Sequence, residues 1–260
     1  MRRTGWLGLG VIALLAITGT AALVAPAQWA AGAIESASRG HLRLADARGT
    51  LWRGDATLVV AASGAADAVR TSLPERLSWR LAPLPLLLGR AELTLAHPSA
   101  LAQPVTLQTG WSGAATISAG TLRLPAALLT GLGAPWNTVR PGGTLQLVWD
   151  RLSFDAGRMQ GDLAAEWQYA SSALSPVVPI GHYRLTASGG YPDTRLQLTT
   201  INGPLEMSGQ GTIAAPGQVR FRGVARMAPG AEDAVKAQLA GLLSLLGKRD
   251  GENVILNLES

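Results

Sequence analysis

The chain has 260 residues with 22 lysines and arginines, 17 aspartates and glutamates, a net charge of +5 and no cysteine. Arg2 and Arg3 supply two of those charges and the other arginines are scattered, which argues against a nucleic-acid-binding protein. Without cysteine there are neither disulfides nor thiolate metal sites, so stability must come from packing and sheet hydrogen bonds.

Trp6 to Ala25 contains no charged residue and no proline, and at helical rise it covers ~30 Å, the thickness of a bilayer core. The stretch predicts a membrane anchor whose apolar body is Leu7, Val11, Ile12, Leu14, Leu15, Ile17 and Leu23. Trp6 and Trp29 flank it, where amphipathic rings favour the two interfaces. Arg2 and Arg3 precede the span and no comparable basic cluster follows it. That asymmetry predicts a cytoplasmic N-terminus and an exported, periplasmic remainder. The competing reading is a cleaved signal peptide ending at Ala25-Pro26-Ala27, although the apolar run exceeds the ~7–15 residues such peptides use. Residues 1–27 are thus expected to form a cytoplasmic stub and anchor, and 28–40 a helical linker stopped by Gly40. Residues 41–260 are expected to form a β-rich domain.

From His41 the pattern changes to period two. Leu42 and Leu44 alternate with Arg43, and Gly49 to Gly54 leads into Ala56 to Ala61. Ala62 to Ser72 is small and polar, a loop. Leu77, Trp79 and Leu81 make the next half-buried strand, ended by Pro83 and Pro85. Leu86-Leu87-Leu88-Gly89 is a short apolar link to a strand carrying Leu93 and Leu95. After a break at His97 to Pro104, the alternation resumes through Val105 and Leu107, Ala115 and Ile117, and Leu122 and Leu124. Pro125 to Leu132 reads as a short helix. The proline- and glycine-rich stretch from Gly133 to Gly143 reads as a loop and a candidate sub-boundary.

Beyond it the alternation is cleaner. Leu145, Leu147 and Trp149 lie on one face, as do Leu163, Ala165 and Trp167. Tyr183 and Leu185, Leu196 and Leu198, Leu205 and Met207, and Val219 and Phe221 continue the pattern between glycine turns. The prediction is a mainly β fold, an antiparallel multi-stranded sandwich or a curved open sheet, since both give alternating strands. Near the end, Glu232 and Asp233 begin an amphipathic helix that Lys248 and Arg249 finish, with Gly247 as its C′ residue. Val235, Leu239, Leu242, Leu243 and Leu246 share one face, which is either a lid on the sheet or a docking face for a partner. Val254, Leu256 and Leu258 form a last strand.

The sequence nominates no catalytic, cofactor-binding or metal-binding residue, and a non-enzymatic protein is expected. His41, His97 and His182 stand in no ligand pattern. Gly110-Trp111-Ser112-Gly113-Ala114 lacks the last glycine of a nucleophile elbow. Gly209-Gln210-Gly211-Thr212-Ile213-Ala214 matches a loose dinucleotide pattern, but Pro216 follows where a helix is needed. Trp52, Trp79, Trp149 and Trp167 sit on apolar strand faces and read as core.

Several motifs carry a resemblance. Gly49-Thr50-Leu51-Trp52-Arg53-Gly54 comes first, then Arg140-Pro141-Gly142-Gly143-Thr144-Leu145 and Leu174-Ser175-Pro176-Val177. Gly181-His182-Tyr183-Arg184-Leu185 and Gly203-Pro204-Leu205-Glu206-Met207-Ser208-Gly209-Gln210-Gly211 follow. In this order, after one apolar span, the sequence resembles the type II secretion system protein N family. The resemblance implies an inner-membrane component of the machine that exports folded proteins from the periplasm through the outer membrane. Other secretion components and the inner membrane are then its partners, and no catalytic residues carry over. The Gly-Thr-Leu-Trp strands after one span also look like AsmA-type inner-membrane proteins, whose sheets form apolar grooves for lipid. That likeness implies lipid as an alternative partner.

Overall fold

The computed structural model describes residues 24–61, 70–133, 136–190, 192–215, 217–251 and 253–259. The predicted span lies outside the described residues apart from Val24 and Ala25, and so do its nominated residues Trp6, Leu7, Val11, Ile12, Leu14, Leu15, Ile17 and Leu23. Among the described residues no helix is long and apolar enough to cross a membrane.

The first helix, α1 (Ala27–Ala37), starts behind Pro26 and ends where Arg39 and Gly40 take positive φ. The first strands are β1 (Leu42–Gly49), β2 (Arg53–Ala61), β3 (Arg70–Ser72) and β4 (Leu77–Leu81). A short helix α2 (Pro83–Leu87) joins them to β5 (Ala91–Ala96), β6 (Val105–Thr109), β7 (Ala115–Ile117) and β8 (Gly120–Pro125). A 3-10 turn (Ala126–Leu132) and α3 (Trp136–Val139) precede β9 (Pro141–Trp149), β10 (Leu152–Asp155) and β11 (Arg158–Ser172). Next come β12 (Gly181–Gly189), β13 (Thr194–Asn202), β14 (Leu205–Ala214) and β15 (Gln218–Met227). The helix α4 (Asp233–Leu246) and strands β16 (Lys248–Asp250) and β17 (Asn253–Glu259) close the chain.

All pairings are antiparallel, and up to β15 the strands lie side by side in chain order. Three of the ribbons are interrupted. β3 and β4 share the flank of β2, β7 and β8 pair in one register with β10 and β9, and β11 pairs with both of the latter. At the far end β17 pairs with β15, and β16 lies outside it. β1 and β16 do not pair with each other, so the sheet is open rather than closed, and a two-sheet sandwich is not formed. The sheet runs through the 133–143 connection without a break, since β8 and β9 pair across it. Register shifts at Ala45/Arg48, Trp167/Ala170 and His182/Tyr183 mark bulges, which bend strands and increase their twist.

Alternation along each strand gives the sheet one apolar face, and three clusters cover parts of it. At the N-terminal end α1 lays Ala27, with Ala30, Ala31 and Ile34, over Leu44, Ala56 and Trp79. Beside it Leu128 of the 3-10 turn packs with Val60, Leu73 and Ala100. At the C-terminal end α4 sits on Tyr183, Leu205, Ala225 and Val254. Tyr183 is buried and its hydroxyl donates to the carbonyl of Leu205 at 2.9 Å, and burial pushes its phenol well above the usual range. Tyr183→Phe strands that carbonyl and is expected to lower stability by about 1–3 kcal/mol, read from urea unfolding.

The end of α4 differs from the sequence expectation. The helix stops at Leu246, and Lys248 and Arg249 pair with Ile255 and Val254 instead of closing the last turn. Gly247 is extended (φ 169), not left-handed, and a side chain there would collide with the Ile255 carbonyl. Ladder pairing with β17 outweighs the charge–dipole preference, which is worth only ~0.3–1 kcal/mol at an exposed helix end.

Candidate functional site

Between the helical covers the apolar face continues across the sheet, and at the edge of the α4 cluster Leu198 and Leu256 still pack against it. In the C-terminal half the strands stack side chains in rows. The row Trp167, Tyr183, Thr200, Met207, Ala225 and Val254 runs beneath α4. The neighbouring row holds Leu147, Ala165, Leu185, Leu198, Gly209, Gly223 and Leu256, and the next holds Trp149, Leu163, Ala187, Leu196, Gly211 and Phe221. The large side chains of these two rows are mostly half-buried, and Leu185 is 36% exposed. The Phe221 ring lies where side chains at Gly209, Gly211 and Gly223 would be, so three glycines make room for one aromatic. That arrangement leaves a shallow apolar strip instead of an interdigitated core.

The nominated face of α4 is used inside the domain. Leu239, Leu242 and Leu243 are 0%, 2% and 6% exposed, and Val235 packs on the same cluster. The side chain of Leu246 is outside the described residues. These leucines pack against the chain's own sheet. Trp29, nominated as an interfacial residue, is 63% exposed in the first turn of α1.

The opposite face is polar and internally paired. Arg184 grips Glu166 Oε1 at 2.9 and 2.6 Å, Gln168 donates to its other oxygen at 3.1 Å, and His182 Nε2 stands 3.4 Å away. Arg226 bonds Glu206 at 2.8 Å, and Arg76 bridges Asp46 and Asp55. Arg184, then Gln168, hold the Glu166 carboxyl below its usual 4.5, and Arg76 with Arg48 does the same for Asp46. A lowered folded pKa means stability that is full above the unfolded value and is lost as pH falls through the folded one. Glu166→Gln is therefore expected to flatten the acid limb of the stability–pH profile below about pH 4.5. The change is expected to be ~1 kcal/mol or less, because Arg184 is half exposed. Urea titrations at pH 7 and pH 3.5 measure it.

The tryptophans on the apolar face have their indole N–H groups fixed by backbone carbonyls. Trp79 donates to Leu51, Trp149 to Ser118 and Trp167 to Gly142, at 3.1, 2.8 and 2.8 Å. His97 is buried at 4% exposure, with its Nδ1 accepting the Ala100 N–H at 3.0 Å, and closes a local turn. Among the described residues no three acidic or histidine side chains gather as a metal site would require.

The short apolar link before β5 is exposed, which its sequence alone does not indicate. Leu84, Leu87 and Leu88 are 73%, 82% and 74% exposed, and Trp111 is 86% exposed. Six residues of proline and leucine from Pro83 to Leu88, without alternation, are the signal that marks them off from a buried strand.

The family model described as type II secretion system (T2SS), protein N, matches residues 40–255. Curated proteins give no match, and neither do solved structures. The matched region runs from the end of the α1 connection to β17 and takes in nearly the whole sheet. The chain belongs to the type II secretion system protein N family.

Proposed function

We propose that this chain is an inner-membrane component of type II secretion whose β-sheet domain lies in the periplasm and assists export of folded proteins across the outer membrane. It works by binding other components of the machine rather than by catalysis. The family supports the pathway, and the sequence reading of residues 6–25 supports the membrane setting. The observation that carries the interaction role is the part-exposed apolar strip around Leu185, Leu196 and Phe221, beyond the α4 cluster. A strip of this kind, beside well-filled clusters, marks a surface that a partner completes. Leu196→Asp in the full chain, one row beyond the α4 cluster, is expected to leave the fold intact and to reduce secretion of a periplasmic substrate. Normal secretion at native expression with this variant argues against the reading.

A second reading is favoured by the composition of the strip. Ala165, between Leu147 and Leu185, keeps its floor low beside the Phe221 ring, which suits an acyl chain lying across it. Ala165→Trp in the full-length protein separates the two. Lipid that co-purifies with the parent and is expelled by the variant, by mass spectrometry, supports a lipid groove. Absence of lipid in the parent removes that reading.

A further inference from the structure

We propose that two adjacent turns at one end of the sheet form an apolar tip that sits in the headgroup layer of a lipid bilayer. The first turn is α2 with Leu88 and Gly89, between β4 and β5, and the second holds Trp111, between β6 and β7. They are built as one unit. The Trp111 indole N–H donates to the Leu88 carbonyl at 3.2 Å, and its ring fills the place a side chain at Gly89 would take. Gly89 has φ 72, in the left-handed region that favours glycine.

The chemistry of the tip is that of an interface. Leu84, Leu87 and Leu88 point into solvent together with Trp111, and Arg90 follows, exposed. Leucines with a tryptophan and a neighbouring arginine match the headgroup boundary, where the indole is favoured and the cation meets phosphate. A soluble domain gains nothing by holding three leucines in water when burial is worth ~25 cal/mol per Å² of apolar surface.

The position of the tip names the occupant. Leu51 N–H donates to the Ala25 carbonyl at 2.8 Å, and Pro26 bridges Thr50, so the chain from residues 6–25 joins the sheet at the β1–β2 turn. At that same end Leu81 N–H donates to the Trp52 carbonyl, and Ala82 N–H to Glu92, just where α2 departs. The β6–β7 turn is there too, because Thr109 pairs with Ala91. The apolar span expected from sequence and the tip therefore meet the sheet at one end. The inference rests on reading residues 6–25 as a span. A tip beside the exit of that span lies against the membrane that holds it, and fixes the sheet's tilt at the surface.

The chain has no cysteine, so one added thiol reports one site. Full-length L87C, with L84C as a second position, is labelled with an environment-sensitive fluorophore. The labelled chains are placed in phosphatidylethanolamine–phosphatidylglycerol vesicles, some containing lipid spin-labelled near the headgroup. Exposed Ala102, beside Leu101 at the opposite end, supplies the control A102C. The expected result is blue-shifted emission at 84 and 87 that the spin-labelled lipid quenches, with neither effect at 102. Unquenched emission at 84 and 87 overturns the proposal, whether the probe reports water or a protein contact. Alkaline carbonate extraction of the same vesicles decides the span reading separately. Release of the chain with quenched probes supports the tip without the span, and retention with unquenched probes sinks the tip alone.

Discussion

Replacing Leu239 by alanine is expected to lower the unfolding free energy by about 2–5 kcal/mol, among the largest effects of any single truncation in the C-terminal half. Leu239 has no exposed surface and sits where α4 meets Tyr183, Leu205, Ala225 and Val254. Its removal opens a cavity that neighbouring β-strands, tied by their ladders, cannot collapse to fill. Leu185→Ala, two residues along β12 from Tyr183 on the same face, is expected to cost about 1 kcal/mol or less. Leu185 already faces solvent for a third of its surface, so less burial is lost than at Leu239 and water can fill the space left. Urea unfolding of both variants tests whether the face changes from covered to open within one residue pair. Equal losses contradict that division.

The second large effect falls at the other end. Trp79→Ala is expected to cost about 3–5 kcal/mol. The indole packs beneath α1, fills the space over Gly54 and donates to the Leu51 carbonyl. Its loss removes the platform for Ala27, Ala30 and Ile34, so α1 comes loose from the sheet along with the turn that receives Ala25. Hydrogen exchange of the amides from Ala30 to Ile34 is expected to accelerate more than exchange in β14. Uniform acceleration across the chain would instead indicate a single cooperative unit.

Much of the sheet was legible because period-two alternation is a direct consequence of having one apolar face. Leu145, Leu147 and Trp149 opposite Gln146 and Val148 needed no tertiary information. The choice between sandwich and open sheet did need it, since Leu185 and Leu198 alternate identically whether a second sheet covers them or not. Covering is decided by which helices reach them, and the α4 cluster takes in Tyr183 and Leu198 but leaves Leu185 a third exposed. The end of α4 was misplaced for a related reason. Lys248 and Arg249 look like dipole partners within their own segment, and only the arrival of β17 makes them a strand. Pro83 to Leu88 was legible as apolar and unpatterned, but its contact with Trp111, about two dozen residues away, depends on β4, β5 and β6 pairing in register.

We propose the part-exposed strip as the binding surface of a secretion component. A photo-crosslinking amino acid in place of Leu185, in the full chain at native expression in a secreting strain, probes that surface. A discrete adduct with another component of the secretion machinery is expected, lost when Leu196→Asp is added. No adduct from position 185 during normal secretion, with the chain folded and in place, contradicts it.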